Sequence, residues 1–322
     1  ISKIKFLTFF AIICSIGLAP INDAYAATTF VDAFSVSDQE TGPAGLAFNT
    51  DGTKMFVIGY IGDDVNEYTC TTGFDVSSCS VVVGGQKDVS GEEMFPRGLA
   101  FNTDGTKMFV VGSIGDDVNE YACTAFDVST CGFIDAFSVA AQETVPQGLA
   151  FNTDGTKMFV LGSIGDDVNE YACDAFDVST CGFIDAFSVA AQETVPQGLA
   201  FNTDGTKMFV LGSIGDDVNE YACDAFDVST CGFIDAFSVS AQETSPQGLA
   251  FNTDGTKMFI TGSSGDDVNE YTLSVGFDLN VPVTETTTTS SDCYDCKPPV
   301  LQSSHITILT NDYVMATGDS PL

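Results

Sequence analysis

The chain has no tryptophan, a single histidine (His305), a single arginine (Arg97), and 10 Lys or Arg in all against 45 Asp or Glu, for a net charge of −35. Phosphate backbones are held by clustered cations, so nucleic acid is not an expected partner. A Ser/His/Asp set needs a histidine beside its nucleophile, and His305 stands apart near the C-terminal end with no Gly-x-Ser-x-Gly elbow anywhere. Sustained helical periodicity is also missing: glycine and turn residues interrupt the chain about every ten residues. The apolar run from Phe6 to Ala19 is too short to span a bilayer, and no stop-transfer segment follows it. Lys3 and Lys5 precede that run and Ala24-Tyr25-Ala26 follows it, so residues 1–26 read as a secretory signal peptide. The expected location is therefore secreted or cell surface, with a membrane reached only through an anchor outside this sequence.

What the chain does have is repetition. The string GLAFNTDGTKMF begins at Gly45, Gly98, Gly148, Gly198 and Gly248, and residues 125–189 recur unchanged as 175–239. Each copy continues into GDDVNEY, and the inner copies add FDVSTCGFIDAFSV and QET. In the third copy four strands are expected: Gly148 to Asn152, Lys157 to Gly162, Asp167 to Cys173 and Gly182 to Val189. Asn152-Thr153-Asp154-Gly155-Thr156 carries hairpin-turn chemistry between the first two. Met158-Phe159-Val160-Leu161 is apolar at every position, which predicts cover on both faces of that strand.

A 50-residue period with four strands per copy predicts an all-β, five-bladed β-propeller of four-stranded antiparallel blades over residues 27–281. TFVDAFSV at residues 29–36 matches the fourth strand of a copy yet precedes the first full one, whereas the fifth copy runs into Asn280-Val281-Pro282 without it. The N-terminal strand is thus expected to complete blade five and close the ring, removing the orphan edge. A larger ring completed by a second chain is the alternative. The pattern P-x-G-L-A-F-N-x-D-G-T-K-M-F-V also resembles the repeats of secreted NHL and YVTN-like propellers, over residues 29–281. That resemblance implies a propeller fold and leaves the activity open. Beyond it, residues 282–292 read as a Thr/Ser-rich linker or glycosylated stalk, and residues 293–322 as a Cys-x-x-Cys tail or the start of a further domain.

Cysteine comes in pairs in four copies: Cys70 with Cys79, Cys123 with Cys131, Cys173 with Cys181, and Cys223 with Cys231. The fifth copy has Leu273 at the first position and lacks both members, as expected of partners in a disulfide. Cys293 and Cys296 read as a short-loop disulfide or the edge of another domain, ahead of a redox or zinc site.

Strand alternation sends the GDD loops and the QET loops to one end of the ring. There Asp63, Asp64, Asp116, Asp117, Asp166, Asp167, Asp216, Asp217, Asp266 and Asp267 are expected to meet Glu40, Glu93, Glu143, Glu193 and Glu243. Crowded carboxylates suit a hard cation, and calcium is the one this pattern would take, although no EF-hand spacing and no other cofactor motif is present. Arg97 closes an irregular stretch, Gly84 to Arg97, three residues longer than in other copies, and so marks the expected source of asymmetry on this ligand face. Near-identical blades do not separate the pKa values of a catalytic acid and base, so no enzyme is expected. The expected function is a secreted or cell-surface interaction scaffold, binding an extracellular protein or glycan, multivalently or through calcium. A lectin using Tyr68, Tyr121, Tyr171, Tyr221 and Tyr271 is the alternative, with a carboxylate-based glycoside-active enzyme behind it.

Overall fold

The computed structural model describes residues 25–282. Five four-stranded antiparallel sheets follow one another around an axis. In the third blade the inner strand is Pro146–Phe151, the second Lys157–Gly162, the third Asp167–Asp174 and the outer Asp177–Ser188. The outer strand starts at Asp177, earlier than the expected Gly182, because the tight turn at Ala175 and Phe176 leaves Asp174 opposite Asp177. Phe176 sits at φ +63°, a left-handed conformation that costs a bulky residue about 1–2 kcal/mol. Its placement offsets that cost: the ring stacks on Phe109 of the preceding blade at 6.2 Å, and its carbonyl accepts from Lys107 Nζ at 2.7 Å.

The expected apolar strand is covered on both sides. Met158, Phe159, Val160 and Leu161 are all fully buried. The core is therefore five interblade layers rather than one centre. One layer joins Phe109, Val111 and Val118 of blade two to Leu149, Met158, Val160 and Tyr171 of blade three. At the axis the inner strands approach so closely that a Cβ on Gly148 would lie 3.1 Å from the carbonyl oxygen of Gln197.

Ring closure follows the expectation. Thr29–Ser35 is the outer strand of blade five, pairing antiparallel with Asp267–Thr272 in the register Phe30↔Tyr271 and Phe34↔Val268. Val36 and Phe34 then join the layer between blades five and one. On the far side, each hairpin turn hands a hydroxyl to the next: Thr50 to the Thr103 carbonyl, then Thr103 to Thr153, Thr153 to Thr203, Thr203 to Thr253, and Thr253 back to Thr50, at 3.1–3.4 Å. The outer strands are bulged where Ile134, Ile184 and Ile234 fall, which breaks the regular edge that a foreign strand would need.

All four expected disulfides are present: Cys70–Cys79, Cys123–Cys131, Cys173–Cys181 and Cys223–Cys231. Each staples an outer hairpin, and a loop of that size contributes about 2–3 kcal/mol through the unfolded chain. Residues 1–24 of the expected signal peptide, residues 283–292 of the Thr/Ser-rich linker and the Cys293/Cys296 tail lie outside the described residues.

Candidate functional site

The expected carboxylate ring is not an open ring of charge. Glu40, Glu93, Glu143, Glu193 and Glu243 are at most 2 % exposed. Each turns inward and accepts from backbone N–H groups of its own loop and of the loop between the second and third strands. Glu143 Oε1 accepts from Val145 N at 2.6 Å and Oε2 from Gly165 N at 3.3 Å; Glu243 accepts from Ser245, Ser264 and Gly265. These glutamates replace water for buried loop amides, so they do not stand on the ligand face.

The first aspartate of each pair is a backbone feature. Asp63, Asp116, Asp166, Asp216 and Asp266 adopt φ between +51° and +54°, and their carbonyls anchor the incoming loop, as with Val189 N to Asp166 O at 2.8 Å. Burial, then the adjacent aspartate, holds the carboxyl of Asp63, Asp116, Asp166, Asp216 and Asp266 above the usual range, with Glu143 adding to Asp166. The second aspartates, Asp117, Asp167, Asp217 and Asp267, are half-buried at the head of the third strand, and Asp64 is buried with Asn66 and Gln86 as partners. Among the described residues, no group of three or more His, Cys, Asp or Glu side chains converges as a metal site.

A stability prediction follows from the raised aspartates. A carboxyl whose folded pKa lies above its unfolded value destabilises fully above the folded pKa, and the penalty is relieved as pH falls through it toward 3.8. Asp166→Asn removes that penalty and suits a left-handed position better, so it is expected to stabilise slightly at neutral pH, the gain kept small by solvent screening. Chemical denaturation at pH 7 and pH 4 checks this: the gain should shrink at the lower pH, and a variant less stable than wild type at pH 7 would contradict it.

The expected sugar-stacking tyrosines are also inside. Tyr68, Tyr121, Tyr171, Tyr221 and Tyr271 are fully buried, each met edge-on by an aromatic ring, as Phe137 meets Tyr171 at 5.6 Å. They are core residues, because the outer strand of the preceding blade covers them. In blade one the phenylalanine position is Lys87, whose ammonium lies 5.7 Å from the Tyr121 ring.

Sequence reasoning missed a clamp repeated at all five blade interfaces. Lys157 Nζ lies 2.7 Å from Glu170 Oε1 and donates to the Phe226 carbonyl of the next blade at 2.7 Å, while Glu170 Oε2 accepts from Val228 N at 3.0 Å. Blade five closes the series onto blade one through Lys257 to Phe74 O and Val76 N to Glu270. The legible signal was one lysine and one Asn-Glu-Tyr per copy, 13 residues apart in the case of Lys157 and Glu170.

Against this sameness, departures from the repeat also reach the axis. Five inner strands converge on a narrow axial cavity of about 20 Å³, room for about one water. Around it the second residue of each inner strand is Ala44, Arg97, Gln147, Gln197 or Gln247. Arg97 leans over blade one: its guanidinium lies 4.5 Å from the Tyr60 ring centre, and Nη1 reaches Gln247 Oε1 of blade five at 3.5 Å. The other blades carry serine where blade one has Tyr60, namely Ser113, Ser163, Ser213 and Ser263. Ala44 and Gly42 are matched to these intrusions, since a Cβ on Gly42 would come within 2.8 Å of the Tyr60 ring. Burial pulls the Arg97 guanidinium below its ordinary pKa, while Tyr60 and Glu93 favour its charged form. Ile61, next in sequence to Tyr60, and Met94 and Phe95, just before Arg97 in sequence, are 62, 53 and 42 % exposed. Arg97 and Ala44 line this cavity, and Tyr60 and Gly42 pack beside Arg97. Their signal in the sequence was departure from the repeat at a shared mouth.

No family model matches the chain, and no curated protein matches it. Solved structures do. The periplasmic gluconolactonase PpgL of Pseudomonas aeruginosa is similar at 18% identity and a TM-score of 0.42, covering 61% of this chain and 54% of that one. A protein of unknown function from Desulfotomaculum acetoxidans is similar at 15% identity and a TM-score of 0.44, covering 68% and 62%. A luciferin-regenerating enzyme is similar at 12% identity and a TM-score of 0.47, covering 77% and 99%. The chain spans only 54–62% of the length of the first two. These likenesses speak to the fold alone. Proteins named as enzymes stand among the similar structures, and the expectation of no enzyme is withdrawn. The physical premise behind that expectation also fails at the axial mouth, where the blades are not alike. What stands from the geometry and the comparisons together is a five-bladed β-propeller with one asymmetric mouth.

Proposed function

We propose that the chain is an extracytoplasmic interaction propeller that takes its ligand at the mouth shared by blades one and two. The observation that carries this is that two departures from the repeat, Ala44 and Arg97, line one axial cavity, with Tyr60 and Gly42, also departures, packed against Arg97 and each other. Repeat residues serve closure and interblade cohesion, as the buried glutamates and lysine clamps do. Residues that break a tandem repeat at one place serve something other than the repeat. Four disulfides support an oxidising compartment, in line with the leader read at residues 1–26 and with the NHL and YVTN-like wording of the repeats.

One site per chain is the consequence, in place of five equivalent ones. Arg97→Gln restores the residue of blades three to five and so leaves the fold intact. A glycan array and a calorimetric panel of small anions, run on wild type and Arg97→Gln, test the reading. Ligands bound one per chain and weakened by Arg97→Gln support it; ligands bound five per chain and indifferent to the substitution overturn it.

A further inference from the structure

We propose that this mouth binds an amphipathic monocarboxylate, its carboxylate on Arg97 and its apolar body across Ile61, Met94 and Phe95; the proposal rests on the reading of the mouth as the ligand site. The first ground is an unmet charge. Each of the five strand-heading lysines, Lys54, Lys107, Lys157, Lys207 and Lys257, is paired with a buried glutamate at 2.6–2.7 Å. Arg97 has no such carboxylate within salt-bridge distance among the described residues. Its Nε is buried and lacks an acceptor, and its contact to Gln247 is long at 3.5 Å. A half-buried guanidinium without a carboxylate partner is costly, and a ligand carboxylate oxygen at the cavity meets it with a charge-assisted hydrogen bond.

The second ground is the size of the hole. About 20 Å³ admits a head group's oxygen or a water and nothing larger. Any ligand body must then lie outside the cavity, where Ile61 packs beside Tyr60 at Gly42 and Met94-Phe95 leads by one proline into Arg97. Ile61, Met94 and Phe95 stand 62, 53 and 42 % exposed next to a stacked Arg–Tyr pair. In the same cavity Gln147 Oε1 is buried without a donor.

The third ground is charge. A chain of net charge −35 repels polyanions, so one cation among many carboxylates selects a ligand with a single negative charge. A phosphate monoester brings close to a second charge, which this site does not neutralise.

The probes are octanoate, octanol, octylammonium and acetate, titrated calorimetrically into the intact chain. Octanoate is expected to bind one per chain, about tenfold or more tighter than octanol, with octylammonium giving no heat. Arg97→Gln should remove that advantage and leave octanol unchanged. Ile61→Ser, which installs the residue of blade five at Ser264, should weaken octanoate and leave acetate unchanged. Octanol binding as tightly as octanoate, or octanoate binding unaltered in Arg97→Gln, would overturn the proposal. Should octanoate fail while another panel ligand still binds one per chain in an Arg97-dependent way, the carboxylate assignment falls and the mouth as ligand site stands. Should nothing depend on Arg97, both fall.

Discussion

A chain that begins after Ser37, and so lacks the strand Thr29–Ser35, is expected to lose its single cooperative unfolding transition. That strand covers Tyr271, which is fully buried, and its removal leaves the third strand of blade five, Asp267–Thr272, as an open edge. It also strips the interface to blade one. Phe34 meets Tyr68 edge-on at 5.6 Å, and Val36 is fully buried in the same layer. Each such side chain contributes about 1.5–3 kcal/mol by burial, so losing several at once consumes most of the 5–15 kcal/mol typical of a domain. Because the closure is non-covalent at this point, a peptide of residues 27–38 added in trans should restore the transition. Calorimetry with and without the peptide is the measurement. A truncated chain that melts like wild type would mean that the ring does not depend on this strand.

The second large effect concerns the clamps. Lys157→Met leaves Glu170, 2 % exposed, with one backbone N–H and no cation, and strands the Phe226 carbonyl. Removing one partner of a buried pair costs about 3–5 kcal/mol, far more than the pair itself contributes over an apolar replacement. The double variant Lys157→Met with Glu170→Leu should therefore recover part of the loss, since no uncompensated charge remains. Denaturant midpoints for the two singles and the double decide it. A Lys157→Met loss below about 1 kcal/mol would place this pair with ordinary surface ion pairs, which contribute about that little.

Both expectations depend on features of very different visibility in the sequence. The closing strand was legible because TFVDAFSV is a copy of a repeat element found out of place. The disulfides were legible because both members disappear together in blade five. The second strand was legible because an apolar run such as Met158 to Leu161 admits only two-sided cover. What was not legible is where polar side chains point. Glu143 reads as a loop carboxylate, yet its orientation is set by amides at Val145 and Gly165, the latter on a loop 22 residues away. Tyr171 reads as an exposed aromatic, yet it is covered by Phe137 from a different blade. Those partners are tertiary, and local pattern carries no trace of them. The axial mouth was half legible: Arg97 stood out as the single arginine, while Tyr60 and Ala44 became meaningful only once both lay against it.

Departures from the repeat and the repeat itself are thus assigned opposite duties, and one variant separates them. Ala44→Gln, Tyr60→Ser and Arg97→Gln together install at blades one and two the residues that blades three to five already carry. Measured side by side with wild type for melting temperature and for ligand binding per chain, this triple variant should fold and melt like wild type and bind nothing at the mouth. A triple variant that fails to fold, or that folds and binds as wild type does, would contradict the assignment of function to that mouth.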